Sequence, residues 1–140
     1  MLYYYENNSD GTINAEVPVN IVLFSFGFKH GQAQADMVWD ARFLPNPYWV
    51  AELKPYTGKD AAVAAYVLES SAAQQFLGLF EPLLFFLIDQ YAAANRETLT
   101  IAVGCTGGRH RSVALVEYLR DALVSQGLRP QVYHRDIEKE

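Results

Sequence analysis

The sequence predicts an α/β domain built as three layers, with a mainly parallel sheet between covering helices. Short apolar strands at 19–26, 37–43 and 99–105 are separated by helical segments along the chain. Strands that alternate with helices are typical of a parallel sheet, because a parallel pair needs a connection that crosses back over the sheet. The strand at 99–105 is almost wholly apolar, which predicts burial on both faces. We therefore place it at the centre of the sheet.

Three stretches have the composition and spacing of helices. Residues 59–70 and 71–95 are rich in alanine and larger apolar residues, and Pro82 within the second predicts a kink or the start of a new helix. Residues 113–126 carry valine and leucine on one face, and Gly127 predicts the end of this helix. Each stretch therefore has an apolar side that can cover the sheet.

Length and composition favour one ordinary domain. The chain has 140 residues, of which 51% are hydrophobic, enough to build a core. We assign residues 19–140 to this domain and expect a last short strand at 130–134. Residues 1–18 hold three consecutive tyrosines followed by turn-forming residues, which leaves a loose arm and a short edge hairpin as alternatives.

The overall charge argues against a general binder of polyanions. The chain has 16 acidic and 11 basic residues and a net charge of −5, whereas such proteins carry an excess of positive charge. A single cysteine excludes an intrachain disulfide, and the N-terminus lacks the pattern of a signal peptide. The apolar run at 76–88 contains Glu81 and Pro82 and is too short to cross a membrane. We interpret it as part of a core helix and expect a cytoplasmic protein without membrane contact.

The main functional signal follows the central strand. Gly104, Gly107 and Gly108 allow the backbone to turn sharply. A helix then begins at Arg111 or Ser112. Main-chain N–H groups at a helix N-terminus point at one place and favour negative charge there. We therefore predict that this glycine loop binds an anion, with phosphate as the first candidate.

Three loops are expected to share one edge of the sheet. If the first, second and central strands are parallel, loops 27–31, 44–47 and 106–110 all leave from carboxyl ends, where ligands of such sheets bind. That edge would gather four polar or cationic side chains beside the glycine loop, namely Lys29, His30, Arg42 and Asn46.

The glycine loop also fits the phosphate loop of cysteine-dependent phosphatases. Residues 105–112 match C-x-x-G-x-x-R-[ST], in which Cys105 would be the nucleophile and Arg111 would hold two phosphate oxygens. These enzymes usually carry a histidine before the cysteine, whereas this chain has Gly104. They also need a general acid, for which three aspartates lie near suitable loops: Asp36, Asp40 and Asp60. Phosphatase activity is the alternative, and anion binding without catalysis is the main interpretation.

Three residues near this edge can each be interpreted in two ways. His30 and His110 are either phosphate donors or acid–base groups, or else structural histidines. Arg42 is either a ligand residue or the partner of Asp40 in an ion pair. The sequence alone leaves these alternatives open.

Three large aromatic residues lie in or after the second strand. We interpret Trp39, Phe43 and Trp49 as core residues rather than stacking surfaces.

The common motifs for nucleotide and metal binding are missing from the sequence. It contains neither G-x-x-x-x-G-K-[ST] nor G-x-G-x-x-G, and it has no cysteine-rich metal pattern. We therefore expect neither a metal nor a cofactor.

Four motifs occur in a fixed order along the chain. They are Ser25-Phe-Gly-Phe-Lys-His-Gly31, Asp40-Ala-Arg-Phe-Leu-Pro-Asn-Pro47, Pro55-Tyr-Thr-Gly58 and Gly104-Cys-Thr-Gly-Gly-Arg-His-Arg-Ser112. This set, which lies within residues 19–136, resembles the C-terminal domain of the RapZ family of RNase adapter proteins. A match of four spaced motifs is far more specific than any single glycine loop.

The resemblance implies a sugar-phosphate-binding domain with a phosphofructokinase-like fold, which works as a regulatory adapter and not as an enzyme. The best-known members bind glucosamine-6-phosphate and a small regulatory RNA. By the resemblance, the ligand site includes His30, Thr106, Gly107, His110 and Arg111.

Two differences from the family pattern bear on the partners. The family normally has an N-terminal domain with a P-loop, which this chain lacks, so a P-loop domain in trans and a second copy of the chain are candidate partners. RNA-binding members end in a basic tail, whereas this chain ends Glu138-Lys139-Glu140. We expect a small phosphorylated ligand resembling glucosamine-6-phosphate and doubt RNA binding. The full set of candidate ligand residues is His30, Arg42, Asn46, Thr106, Gly107, Gly108, His110, Arg111 and Ser112.

Overall fold

A four-stranded parallel sheet organises the domain. The computed structural model describes residues 3–7 and 13–140, with side chains described from residue 19 onward. The strands are β1 (Tyr3–Asn7), β2 (Ile13–Pro18), β3 (Asn20–Gly27), β4 (Met37–Asp40), β5 (Thr98–Cys105) and β6 (Gln131–His134), and the helices are α1 (Ala61–Leu68), α2 (Ser71–Ala93) and α3 (Arg111–Ser125). The sheet has the order β4-β5-β3-β6 with all pairs parallel. The predicted α/β class, with β5 inside a parallel sheet and three flanking helices, is confirmed.

The first two strands form a hairpin apart from this sheet. β1 and β2 pair antiparallel, with Tyr4 opposite Val17, and make a sheet of two strands. Of the two alternatives for residues 1–18, the described parts therefore form the hairpin, and β1 lies against α2.

The two faces of the four-stranded sheet bury different cores. On one face, aliphatic side chains such as Leu23 and Ile101 join a large cluster with the inward sides of all three helices. On the other face, Phe24 and Phe26 form a small aromatic cluster with Ala102 that the segment after β3 closes. Burial on both faces accounts for the nearly continuous apolar composition of β3 and β5.

β4 ends earlier than the sequence predicts. The predicted strand continues to Phe43, but the main-chain N–H of Arg42 turns back to the Asp40 carboxylate at 2.9 Å. The N–H of Ala41 instead donates to the carbonyl of Gly104 at 2.7 Å, at the end of β5. This aspartate turn competes with the strand and directs the following residues over the edge of the sheet.

α2 continues through Pro82 as one helix of 23 residues, so the predicted start of a new helix is wrong. The proline ring would press against the carbonyl of Gly78, four residues earlier. Both positions are exposed, so water can satisfy that carbonyl. By length and composition alone, the helix is long and apolar enough to cross a membrane. One of its faces nevertheless packs into the core through residues such as Leu84 and Ile88, as expected for a core helix.

A buried polar chain ties β3 and β6 to α3. The Ser25 hydroxyl lies 2.7 Å from Nδ1 of His134, and Nε2 of His134 lies 2.9 Å from a carboxylate oxygen of Glu117. Burial lowers the pKa of His134, and the Glu117 carboxylate opposes that shift. These contacts fix β6 as the edge strand and so place the C-terminal segment beside the functional edge.

Candidate functional site

The loops at the carboxyl ends of the strands enclose a cavity of about 810 Å³. The loop after β5 supplies residues 105–107 and 109–111, the loop after β3 supplies Lys29, and the loop after β4 supplies Asn46. The predicted shared edge therefore exists, because all four strands run in the same direction. A further stretch, residues 48–55, contributes part of the wall.

The glycines set the shape of this cavity by letting main chains touch. A Cβ on Gly27 would lie 2.4 Å from the carbonyl carbon of Gly107, and a Cβ on Gly108 would lie 2.5 Å from the nitrogen of Gly27. Gly108 also has a φ of +78°, which side chains rarely allow. The N–H of Lys29 donates to the Thr106 carbonyl at 3.1 Å. The loops after β3 and β5 are thus locked together at the base of the cavity.

Gly104 is required by packing. A Cβ at this position would lie 2.5 Å from the ring of Phe26 and 2.6 Å from the ring of Phe28. A side chain here would have to displace both rings, so the packing disfavours the histidine that cysteine-dependent phosphatases usually carry at this position.

Arg111 is a buried cation whose partners are main-chain carbonyls. The residue is 5% exposed, and its Nη1 donates to the carbonyls of Arg42 at 2.8 Å and Leu44 at 3.3 Å. Its Nε is buried and has no hydrogen-bond partner in the described structure. Among residues 19–140 no carboxylate forms an ion pair with it; the neighbouring Asp40 is held by Arg42. The guanidinium thus brings to the cavity a positive charge that no carboxylate of the described residues contacts directly.

Main-chain N–H groups add to this positive end. α3 begins at Arg111 with His110 at its N-cap, so the first turn of the helix opens towards the glycine loop. Within the described chain, the N–H groups of residues 106–110 donate to no protein acceptor. The loop and the helix start together present several donors beside the Arg111 side chain, as an oxyanion requires.

His110 is held in place by the turn that contains the third motif. Its Nε2 lies 3.1 Å from the Lys54 carbonyl, which accepts the hydrogen bond. Burial lowers the pKa of His110, hydrogen bonding to the main chain of Lys54 and Tyr56 opposes this, and the charges of Arg109 and Arg111 lower it further. The imidazole is therefore neutral near pH 7. Gly58 packs directly on the His110 carbonyl, where a Cβ would approach to 2.4 Å.

The lining of the cavity is strongly cationic for an acidic protein. Lys29, Lys54 and Arg109 join Arg111 around it, and Glu140 is the only acidic side chain among the described lining residues. Arg109 is itself fixed by a hydrogen bond from Nε to the carbonyl of Ile137 at 3.1 Å. The charge of the whole chain and the charge of this cavity therefore have opposite signs.

The structure brings together six of the nine predicted ligand residues at the cavity wall or at its base. Five line it, namely Asn46, Thr106, Gly107, His110 and Arg111. Gly108 lies beneath them, where its backbone packs against that of Gly27. Their assignment to a ligand stays a prediction that their position makes geometrically reasonable.

The other three candidates lie outside the lining. Arg42 is exposed, paired with Asp40 at 2.7 Å and placed over the Phe28 ring at 4.1 Å. The Ser112 hydroxyl is buried, 3.2 Å from Sγ of Cys105. His30 lies in the turn 28–30, where its buried Nε2 has no partner in the described structure.

The cysteine of the alternative interpretation reaches the cavity, but its general acid is not there. Cys105 is 2% exposed and lines the cavity floor. None of the three candidate acids is among the lining residues. Main-chain hydrogen bonding from Thr100 lowers the pKa of Asp36, the side chain of Arg42 lowers that of Asp40, and Asp60 accepts from the N–H of Thr57 at 2.8 Å. Two of these carboxylates are therefore held in the ionised form, which cannot donate a proton.

Sequence reasoning missed Asp136, which supports the cavity from below. This aspartate is fully buried and accepts from the N–H of Gly27 at 2.7 Å. Burial acts to raise its pKa, but hydrogen bonds from Arg135, Gly27 and Lys139 outweigh it and hold the pKa at about 2. Its position in a charged tail gave no signal of burial, because the contact with Gly27 arises only in the folded chain.

The interpretation of the three aromatic residues as core is wrong for two of them. Trp39 is half-buried and packs edge-on against Phe80. Phe43 is 53% exposed and Trp49 is 78% exposed. Trp49 lies in the turn 47–49 and lines the cavity. β4 has already ended at Asp40, so the chain that carries Trp49 passes over the edge of the sheet and not into the core.

Curated proteins with similar sequences match most of this chain. A nucleotide-binding protein of Frankia alni is 49% identical over 123 residues, covering 87% of this chain and 43% of the relative. Proteins with the same descriptive name from Caldicellulosiruptor bescii and Mycobacterium avium are each 47% identical, over 121 and 131 residues, covering 86% and 90% of this chain and 42% and 44% of the relatives. The chain thus spans less than half the length of these curated relatives.

The family comparison covers nearly the whole domain. The profile of a family described as the RapZ C-terminal domain matches residues 19–138. This range contains the four-stranded sheet, all three helices and every described lining residue of the cavity except Glu140. The chain belongs to the family of RapZ C-terminal domains.

Proposed function

We propose that this RapZ-like regulatory domain binds a small phosphorylated ligand, with an amino-sugar phosphate such as glucosamine-6-phosphate as the first candidate. The observation that carries the proposal is Arg111, a buried cation at a helix N-terminus without a carboxylate partner among the described residues. Enclosing a charge without a counter-ion costs several kcal/mol. A phosphate bound at the glycine loop would supply that counter-ion.

The cavity fits a ligand larger than phosphate alone. Its volume of about 810 Å³ lies in the range of roughly 300–1,000 Å³ that is usual for small-molecule sites. The phosphate would occupy the donors of residues 106–111, and the rest of the ligand would extend towards Asn46 and the wall at 48–55. Four of the five charged side chains in the lining are cationic, so the phosphate and hydroxyl oxygens of such a ligand suit it.

The direct test is calorimetric titration of the domain with glucosamine-6-phosphate, glucose-6-phosphate and glucosamine. We expect both phosphates to bind and glucosamine to bind at least tenfold more weakly, because it lacks the group that the loop recognises. Equal affinity for glucosamine and its phosphate, or no heat at millimolar phosphate ester, would contradict the proposal.

The name of the relatives adds a nucleoside phosphate as a second candidate. The proteins of Frankia alni and Mycobacterium avium are called nucleotide-binding proteins, and a nucleoside monophosphate carries the same terminal group as a sugar phosphate. Adding adenosine monophosphate to the titration decides between the two, since the tighter ligand identifies the ring that the cavity accepts.

Phosphatase turnover is expected to be absent. Cys105 lines the cavity, but no candidate aspartate does, and a side chain at position 104 would press on the rings of Phe26 and Phe28. An assay with para-nitrophenyl phosphate from pH 5 to 8 should give the same background rate for the native chain and for Cys105→Ser. Turnover by the native chain that Cys105→Ser abolishes would instead establish the phosphatase alternative.

RNA binding is expected to be weak and strongly dependent on salt. Affinity for RNA rises with the number of phosphates that a protein neutralises. Five of the 11 basic side chains are already engaged in ion pairs, namely Arg42, Arg96, Arg120, Arg135 and Lys139. Most of the remainder surround one cavity.

A paired titration near physiological salt checks this expectation. A structured RNA should bind weakly, and glucosamine-6-phosphate should displace it, because both need the loop at 106–111. Submicromolar RNA binding that is insensitive to both the sugar phosphate and Arg111→Ala would place the function on another surface.

A further inference from the structure

Trp49 is held in an unusual position for a large apolar side chain. It is 78% exposed, yet it lines the cationic cavity. The turn that carries it is well anchored, because Pro47 is buried and the Asn46 side chain accepts from the N–H of Tyr48 at 3.1 Å. An anchored turn therefore keeps the indole at the cavity, where it is still largely open to solvent.

The neighbouring Tyr48 ring has a cation over its face, whereas the Trp49 ring has none among the described residues. Lys54 places its ammonium group 4.2 Å from the centre of the Tyr48 ring, and the two aromatic rings meet edge to face at 5.0 Å. No cation or third ring lies over Trp49 among the described residues. The indole thus offers a large apolar surface in the same cavity as the cationic side chains of Lys29, Arg109 and Arg111.

We propose that Trp49 selects phosphate esters that carry a ring, by stacking on the apolar face of that ring. This proposal rests on the proposed function, since it assumes that the phosphate lies at the glycine loop. An indole face binds the flat face of a nucleobase or the C–H face of a sugar through the same apolar contact. Arg111 then binds the phosphate of the ligand, and Trp49 binds its ring within the same cavity.

The test compares ligands that share a phosphate but differ in the ring. Glucosamine-6-phosphate and adenosine monophosphate carry rings, whereas glycerol-3-phosphate and inorganic phosphate do not. Trp49→Ala should weaken binding of the better ring-bearing ligand by about tenfold and leave glycerol-3-phosphate and inorganic phosphate within twofold. Trp49→Phe should restore most of the loss. Tyr66→Ala is the control, because Tyr66 is 39% exposed on α1 and is not a lining residue.

Fluorescence provides a second readout. The chain has two tryptophans, so Trp39→Phe leaves Trp49 as the only indole. Adenosine monophosphate or glucosamine-6-phosphate, whichever binds, should change this emission at saturation, and inorganic phosphate should change it much less.

The outcomes separate this inference from the proposed function. If all phosphates bind and depend on Arg111, but Trp49→Ala weakens none or weakens all equally, the ring lies elsewhere and the inference is wrong. If no phosphate binds to the native chain, the proposed function itself fails. A tenfold loss confined to ring-bearing ligands and reversed by phenylalanine supports the inference.

Discussion

Replacing Arg111 with alanine is expected to lower the affinity for glucosamine-6-phosphate by roughly 30- to 700-fold, corresponding to about 2–4 kcal/mol. The native guanidinium is buried, is held by two carbonyls and has an unpartnered Nε. A charge-assisted contact made in such surroundings is poorly screened by water. The loss should therefore greatly exceed that of an exposed arginine at the same distance.

Two further variants make the result interpretable. Arg111→Lys keeps the charge but cannot form the planar fork, so it should bind more tightly than the alanine variant and more weakly than the native chain. Arg120→Ala removes an exposed arginine from the same helix, where it pairs with Glu117, and should leave affinity unchanged. Thermal unfolding shows whether each variant is folded, and saturating ligand should raise the Tm of the native chain but not that of Arg111→Ala. Unchanged affinity in a folded Arg111→Ala would contradict the site.

Asp136→Asn is expected to lower the free energy of unfolding at pH 7 by about 2 kcal/mol. The folded-state pKa of Asp136, about 2, lies below the ordinary aspartate value of 3.8. A depressed pKa means that the carboxylate stabilises the fold above about pH 4, and that this contribution is lost as the pH falls from 4 to 2. The asparagine variant should therefore be less stable at neutral pH. Its free energy of unfolding should also fall less steeply than that of the native chain between pH 4 and pH 2.

Urea unfolding at pH 7, 4 and 2.5 measures this effect. The stabilities of the native chain and of the variant should converge at the lowest pH, where the native carboxyl is becoming protonated. Asp121→Asn is the matched control, because Asp121 is exposed on α3 and should cost less than 0.5 kcal/mol. Equal stability of the native chain and Asp136→Asn at pH 7 would show that the buried hydrogen bonds contribute nothing net.

Local chemistry made the centre of the site predictable from sequence. The glycine turn after β5 and the helix start at Arg111 depend on residues within ten positions of one another, and the structure has both. The parallel sheet followed from the alternation of apolar strands with helices. Since parallel strands end at one edge, the meeting of three loops needed no further information.

Long-range contacts account for what the sequence did not reveal. Burial of Asp136 depends on the N–H of Gly27, and the short β4 depends on a side-chain turn at Asp40 that competes with strand pairing. The exposure of Trp49 depends on where the proline-containing turn lies relative to the core. Hydrophobic composition predicts burial only on average, so a tryptophan kept open at a cavity has the same local signature as a core residue.

The hydrogen bond from Gly27 to Asp136 also constrains the order in which parts of the domain can fold. The two residues are 109 positions apart, and β3 pairs on its outer side only with β6. A nascent chain made only to residue 130 has the glycine loop and Arg111 but lacks both the outer strand and the carboxylate beneath the first loop. During synthesis the outer edge of β3 stays unpaired until residues 131–136 have left the ribosome. The loop after β3 should accordingly gain its native anchor only after the glycine loop and α3 have been made.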